Sequence, residues 1–221
     1  MRDEPGPSWP WEGGMSRFGV QGVMSEMDRE LELDLVARIR NGDAGAFDAI
    51  HAEFNGRLFN FLARLSRRRD IAEDLLDETW LRFVDRAPRL RPDTRCGPFL
   101  FTVARNLYMS YCRSRMLEDS QTADAIGLWP LGTPRPSPFE STVANETSRR
   151  IEEAFASLSA THREALLLTA VEGMKPADAA AVCGITPEAM RQRLSRARAE
   201  IARRLDDGYD TNLIHLKAVT T

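Results

Sequence analysis

At 221 residues and a formal net charge of −3, the chain is long enough to bury one or two cores without disulfides or metals, and it shows neither a secretory leader nor an apolar run long enough to span a bilayer. Its three cysteines, Cys96, Cys112 and Cys183, and three histidines, His51, His162 and His215, lie scattered without ligand spacing, so neither a disulfide framework nor a zinc site is suggested. No nucleophile, acid–base pair or metal set stands at workable spacing, which argues against an enzyme and implies no catalytic residue and no cofactor.

Residues 1–29 are rich in Pro, Gly and acidic groups, with Pro5-Gly6-Pro7 and Trp9-Pro10-Trp11, and read as a disordered extension. The two tryptophans are either a short docking motif or incidental, and Met15, Met24 and Met27 leave a later natural start open. From Glu30 the pattern turns helical, with Leu31, Leu35 and Ile39 on one side until Asn41-Gly42 stops it. Asp43 then caps a long helix whose inner stripe is Phe47, Ile50, Phe54, Leu58, Phe61 and Leu65.

A third helix opens at Asp70-Ile71-Ala72-Glu73, an Asx form of the capping box, and runs to about Ala87. Its inner face is Ala72, Leu76, Trp80, Phe83 and Ala87. A second stripe of Asp74, Asp77, Glu78 and Leu81 has the spacing of a surface that faces a partner. A loop rich in Pro and Arg follows, from Pro88 to Gly97, and Pro98 reopens a helix. There Leu100, Val103, Ala104, Leu107 and Tyr111 point inward, leaving Arg105, Asn106, Met109 and Arg113 outside, beside Tyr108. Such a row suits phosphate contact and stacking on unpaired bases, although a tyrosine at helical spacing is as readily part of a core.

Residues 116–145 carry Pro130, Pro134, Pro136 and Pro138 and read as a linker. It is acidic: residues 116–147 hold one basic and five acidic groups, against fifteen and ten in residues 35–115. Local charge rather than the total governs phosphate affinity, so the small net charge is compatible with gripping DNA at two places. The second module, 146–205, begins with Ile151, Ala154, Phe155 and Leu158 on one amphipathic helix, and Thr161-His162-Arg163-Glu164 has the form of a capping box for the next.

The strongest local signal is a helix-turn-helix. Pro176 to Cys183 forms a short helix ended by Gly184, and Thr186 with Pro187 starts another, whose apolar stripe is Met190, Leu194, Ala197, Ile201 and Leu205. The opposite face carries Arg191, Gln192, Ser195 and Arg198, with Arg193 and Arg196 at its margin. Arg and Gln can bond base edges bidentately in a major groove. The rival is a solvated basic face in an ordinary bundle. The tail, 206–221, is too short for an added domain, and Leu213, Ile214 and Leu216 could pack back or meet a regulator. The fold class expected is all-α, two small helical domains joined by a linker.

Together the modules resemble the extracytoplasmic-function sigma factors, compact members of the sigma-70 family of bacterial transcription initiators. Residues 35–115 are similar to region 2 through Gly42-Asp43, Ala46-Phe47, Ala72-Glu73-Asp74-Leu75-Leu76, Glu78, Trp80-Leu81, Ala104-Arg105-Asn106-Leu107 and Arg113. Residues 146–205 are similar to region 4 through Leu158, Arg163, Glu172-Gly173, Ala180, Gly184-Ile185-Thr186, Arg191, Arg193-Leu194 and Arg196-Ala197-Arg198. The chain departs from the usual pattern at Asp77, commonly Gln, at Phe99-Leu100, commonly Trp-Leu, at Ser110, commonly Asp, and at Ala179, commonly Ile.

The resemblance implies a cytoplasmic protein, associated with the nucleoid as part of holoenzyme and without membrane insertion, that binds core RNA polymerase through the β′ clamp and β flap. Asp74, Asp77, Glu78 and Leu81 would meet the clamp. Arg91, Arg95, Arg105, Asn106, Tyr108, Met109 and Arg113 would take the minus-ten element, capturing flipped bases without nucleotide hydrolysis. Lys175, Arg191, Gln192, Arg193, Ser195, Arg196 and Arg198 would take the minus-thirty-five element. The linker would thread toward the polymerase active-site channel, and an anti-sigma factor is a further partner that the resemblance allows. A sigma-like mimic that sequesters an anti-sigma factor would not need the arginines of the recognition helix, and a one-component helix-turn-helix regulator leaves the Asp74 stripe unexplained.

Overall fold

The computed structural model describes residues 29–120 and 153–218, with side chains described through Arg115 and through Leu205 in the two segments. Residues 1–28 of the expected N-terminal extension, most of the linker and the last residues of the tail lie outside the described residues, whereas Arg29, expected as the end of the extension, is the first residue of the first helix. Among those described, the elements are α1 (Arg29–Arg40), α2 (Ala44–Ser66), α3 (Arg69–Arg86), a 3₁₀ turn at Ala87–Arg89, α4 (Cys96–Ser120), α5 (Ala160–Leu166), a π turn at Leu167–Val171, α6 (Pro176–Cys183) and α7 (Pro187–Ala218). There is no strand among them.

Local chemistry explains most boundaries. Asp43 accepts a hydrogen bond from the Ala46 N–H at 3.2 Å and caps α2, preceded by Gly42 at φ 81° in the left-handed region. Two expected caps shift. The Ala72 N–H bonds to the Arg68 carbonyl at 3.1 Å, so α3 starts at Arg69 and Asp70 sits inside its first turn, ion-paired with Arg68 rather than capping. Likewise the Arg163 N–H bonds to the Ser159 carbonyl at 2.9 Å, so Ser159 caps α5 and the Thr161 box does not form. Helices α4 and α7 also run past the ends expected near 115 and 205, into segments assigned to linker and tail.

Helix α2 packs against α1, α3 and α4, and α4 packs against α3. Phe61, Phe83, Phe101, Ile50, Leu58 and Leu62 are fully buried in the resulting core. In α1 the inward residues are Leu35, Val36 and Ile39, whereas Leu31 is 51% exposed. Helix α5 packs on α7, and α6 packs on α7 to complete the helix-turn-helix. The two modules also meet: α6 lies against α4 and α5 touches α2, so Leu107 and Leu168 belong to one continuous apolar cluster.

Candidate nucleic-acid interface

Helix α3 is clamped by its aromatic side. The Trp80 indole N–H donates to Asn55 Oδ1 at 2.9 Å, and the ring meets Phe47 edge-on with centroids 5.7 Å apart. That anchor turns Asp74, Asp77 and Leu81 outward, with Glu78 half-buried and held by Arg82 at 2.7 Å. Leu81 is 67% and Val84 52% exposed, so the acidic row carries an apolar ridge of two residues. Val84 lies one helical turn beyond Leu81, a position that the stripe of acids alone did not single out.

The loop before α4 is tied down from a distance. Arg29 donates to the Asp93 carbonyl at 2.8 Å and pairs with Glu32 at 2.5 Å, and Glu32 in turn accepts from the Cys96 N–H at 2.6 Å. Neither Arg29 nor Glu32 has a local signature for this role. Within the loop Arg91 pairs with Asp93 at 3.1 Å, and Arg95 reaches Asp178 of α6 at 2.8 Å.

Along α4 the expected row separates. Asn106 and Arg113 are exposed, with Arg113 donating to Ser110 Oγ at 3.0 Å, and Met109 is half-buried against the core. Arg105 is largely covered and pairs with Glu164 of α5 at 2.6 Å. Tyr108 corrects the expectation: it is 7% exposed and its hydroxyl donates to the Leu65 carbonyl at 3.3 Å. It is therefore a packing residue, its phenol held above the ordinary range by burial, and the half-buried tyrosine is Tyr111, expected inside.

The helix-turn-helix is formed as its sequence dictates. Gly184 takes φ 65° after α6, and Thr186 Oγ1 accepts from the Ala189 N–H at 3.2 Å to cap α7. Met190, Leu194, Ala197 and Ile201 are buried, while Lys175, Arg191, Gln192, Ser195, Arg196 and Arg198 are exposed and Arg193 is half-buried. Glu188, not anticipated as part of the site, accepts from Arg191 at 2.5 Å and from Gln192 at 3.5 Å. The Arg191 guanidinium holds the Glu188 carboxyl below its usual range.

Matches to known families coincide with these two bodies. Residues 51–117 match the sigma-70 region 2 model and residues 148–206 the sigma-70 region 4 model. The chain is 33% identical over 159 residues to the RNA polymerase sigma factor CarQ of Myxococcus xanthus, covering 72% of this chain and 88% of that protein. It is an extracytoplasmic-function sigma factor of the sigma-70 family.

A second relative, the ECF RNA polymerase sigma factor EcfG of Rhodopseudomonas palustris, is 32% identical over 142 residues, 64% of this chain and 75% of the relative. The sigma factor RpoE of Bartonella quintana, solved in complex with the anti-sigma factor NepR, is 26% identical with a TM-score of 0.58, over 72% of this chain and 96% of that one. This sigma factor thus serves transcription initiation, with core RNA polymerase and promoter DNA as its partners. Members of the family are DNA-binding transcription regulators. No described helix is long and apolar enough to cross a membrane.

Proposed function

We propose that residues 30–115 form the module that binds polymerase and melts DNA, and residues 146–205 the module that reads the minus-thirty-five element. The observation that carries the assignment is the division of α7: one side buries Met190, Leu194, Ala197 and Ile201, and the other leaves Arg191, Gln192, Ser195, Arg196 and Arg198 in solvent. A recognition helix needs that division, because its apolar side must hold the helix on its scaffold while its polar side enters the major groove. Glu188 supports it by tethering Arg191 and Gln192 near the helix N-terminus, where such helices meet bases.

Asp74, Asp77, Glu78 and Leu81, extended by Val84, are the clamp-binding face. An exposed aliphatic pair beside acids is a surface that gains by being covered with an apolar, basic partner. Arg91, Arg95, Arg105, Asn106, Met109 and Arg113 are the minus-ten surface, and Tyr108 supports it from beneath. Lys175 and Arg193 add phosphate contacts beside α7. The protein works in the cytoplasm without catalysis of its own, and an anti-sigma factor is a further partner by analogy with the Bartonella pair.

Run-off transcription with purified core polymerase on genomic fragments tests the whole assignment. Discrete transcripts that need both the chain and the core are expected. Failure to co-purify with core and to direct any start would overturn it.

A further inference from the structure

The loop that carries Arg91 and Arg95 meets the core at its two ends, where Leu90 and Cys96 are buried; between them Arg91, Pro92, Asp93 and Arg95 are exposed. Locally, the Thr94 N–H closes a turn on the Arg91 carbonyl at 3.0 Å. A second hold comes from α1. The Arg29 guanidinium reaches two successive loop carbonyls, Asp93 from Nη2 at 2.8 Å and Thr94 from Nη1 at 3.4 Å, and Nη1 also pairs with Glu32 Oε2 at 2.5 Å. Glu32 Oε1 accepts the Cys96 N–H at 2.6 Å. Arg95 is therefore bracketed: the carbonyl before it and the N–H after it are both held by the Arg29–Glu32 pair. Its own carbonyl accepts from the Phe99 N–H at 3.1 Å and begins the first turn of α4.

We propose that Arg29 and Glu32 are positioning residues for the minus-ten step. They hold the loop from Arg91 to Arg95 in the arrangement that receives an unpaired base, so α1 sets how well the chain opens and reads the minus-ten element without touching it. The inference rests on the assignment of Arg91 and Arg95 to that element. An exposed loop fixed by its ends alone samples many arrangements, and DNA that needs one of them binds with an affinity reduced by the fraction of molecules in it. Holding the peptide groups on both sides of Arg95 before DNA arrives removes that ordering step.

Holoenzyme assembled from the full chain and core polymerase tests this on duplex promoters. Arg29→Ala should bind core as wild type does and form open complexes about tenfold more slowly, read by permanganate reactivity of minus-ten thymines. In a selection from randomised promoters it should flatten base preference at the minus-ten element and leave the minus-thirty-five preference unchanged. In the chain alone, hydrogen exchange should quicken across Thr94 to Gly97 and not in α2.

Arg29→Lys separates positioning from charge. It keeps a cation beside Glu32, but a compact ammonium lacks the fork that grips Glu32 and the Asp93 carbonyl from separate nitrogens. It should hold the wild-type Tm and still lose most of the opening rate. Opening at the wild-type rate would overturn the proposal, because charge alone would then explain Arg29. If Arg29→Ala lowers the Tm by stranding Glu32, Arg29→Lys replaces it with the same readouts.

Arg91→Ala with Arg95→Ala is the reference. A residue that acts through the loop adds little once both arginines are gone, so losses that multiply when Arg29→Ala is added would also overturn positioning. If the reference variant opens promoters normally, the loop is not a minus-ten surface, and the assignment falls together with the inference. If the reference is defective while Arg29→Ala is not, the assignment stands and positioning by α1 alone is overturned.

Discussion

The Glu32 carboxylate, on α1, accepts the Cys96 N–H that opens α4, at 2.6 Å and across 64 positions of sequence. A helix start offers unpaired N–H groups, and here a buried acid from another helix fills the capping role that a local Ser or Asp usually takes. Because Glu32 also holds Arg29, and Arg29 holds the Asp93 carbonyl, α1 fixes where the basic loop leaves for α4.

Removal of that acceptor should be costly. Glu32→Ala is expected to destabilise the fold by about 1–3 kcal/mol, since a buried N–H loses its partner. Glu32→Gln keeps an acceptor oxygen and should cost less. Chemical denaturation of both variants checks the order, and equal losses would show that the ion pair with Arg29, not the cap, carries the stability.

Charge reversal on α3 should separate binding from folding. Asp74→Arg with Glu78→Arg, and separately Leu81→Ser, should each weaken core polymerase binding by roughly tenfold or more with little change in Tm, because Asp74 and Leu81 face solvent and the half-buried Glu78 gives up only an exposed pair with Arg82. Phe61→Ala, by contrast, empties a fully buried site and should cost about 3–5 kcal/mol. Co-purification of the double reversal with core at wild-type yield would remove this face from the interface.

For α7 the expected signature is a change of preference. Arg191→Ala with Gln192→Ala should lose about 1–3 kcal/mol of discrimination at individual base pairs, whereas Arg198→Ala should weaken all sites alike and lower the salt dependence. Selection from a randomised promoter library reads both, and an unchanged profile for the double variant would take this helix out of sequence readout.

Melting should depend on Asn106 and Arg95. Their replacement by Ala should leave closed complexes largely intact and reduce permanganate reactivity of minus-ten thymines. A template with a pre-melted bubble should rescue the variant, because its bases are already unstacked. A defect that the bubble leaves unrelieved would assign these residues to phosphate contact alone.

Thiol chemistry should follow burial. Burial pushes the Cys96 and Cys183 thiols up to about 12 from an ordinary 9.0, with Glu32 and Glu164 adding to the rise. The stability gained by keeping them neutral is fully present below 9.0 and is lost as the pH rises toward about 12. Native thiols should therefore resist iodoacetamide at neutral pH, and thermal stability should fall across that alkaline window. Fast labelling of Cys183 in the wild-type chain at neutral pH would contradict its burial.

What the sequence determined by itself was everything set within a few turns of chain. The stripe from Phe47 to Leu65, the Asp43 cap, the Gly184 turn, the Thr186 start and the exposed acids of α3 all follow from helical periodicity and from hydrogen bonds that close over three or four residues. Residues at the edge of a stripe were not decided that way. Tyr108 and Tyr111 flank the buried face of α4 within one turn, and only the approach of α2, with the Leu65 carbonyl waiting, decides that Tyr108 turns in. The choice of Ser159 over Thr161 as a cap is similar, since both hydroxyls lie within reach of the same first turn. The pairs Arg105–Glu164 and Arg57–Glu172 span 59 and 115 positions, and no local pattern couples such distances. They exist because the apolar faces of α4 and α6 are buried together, which brings charges from opposite modules close enough to be paired or left stranded.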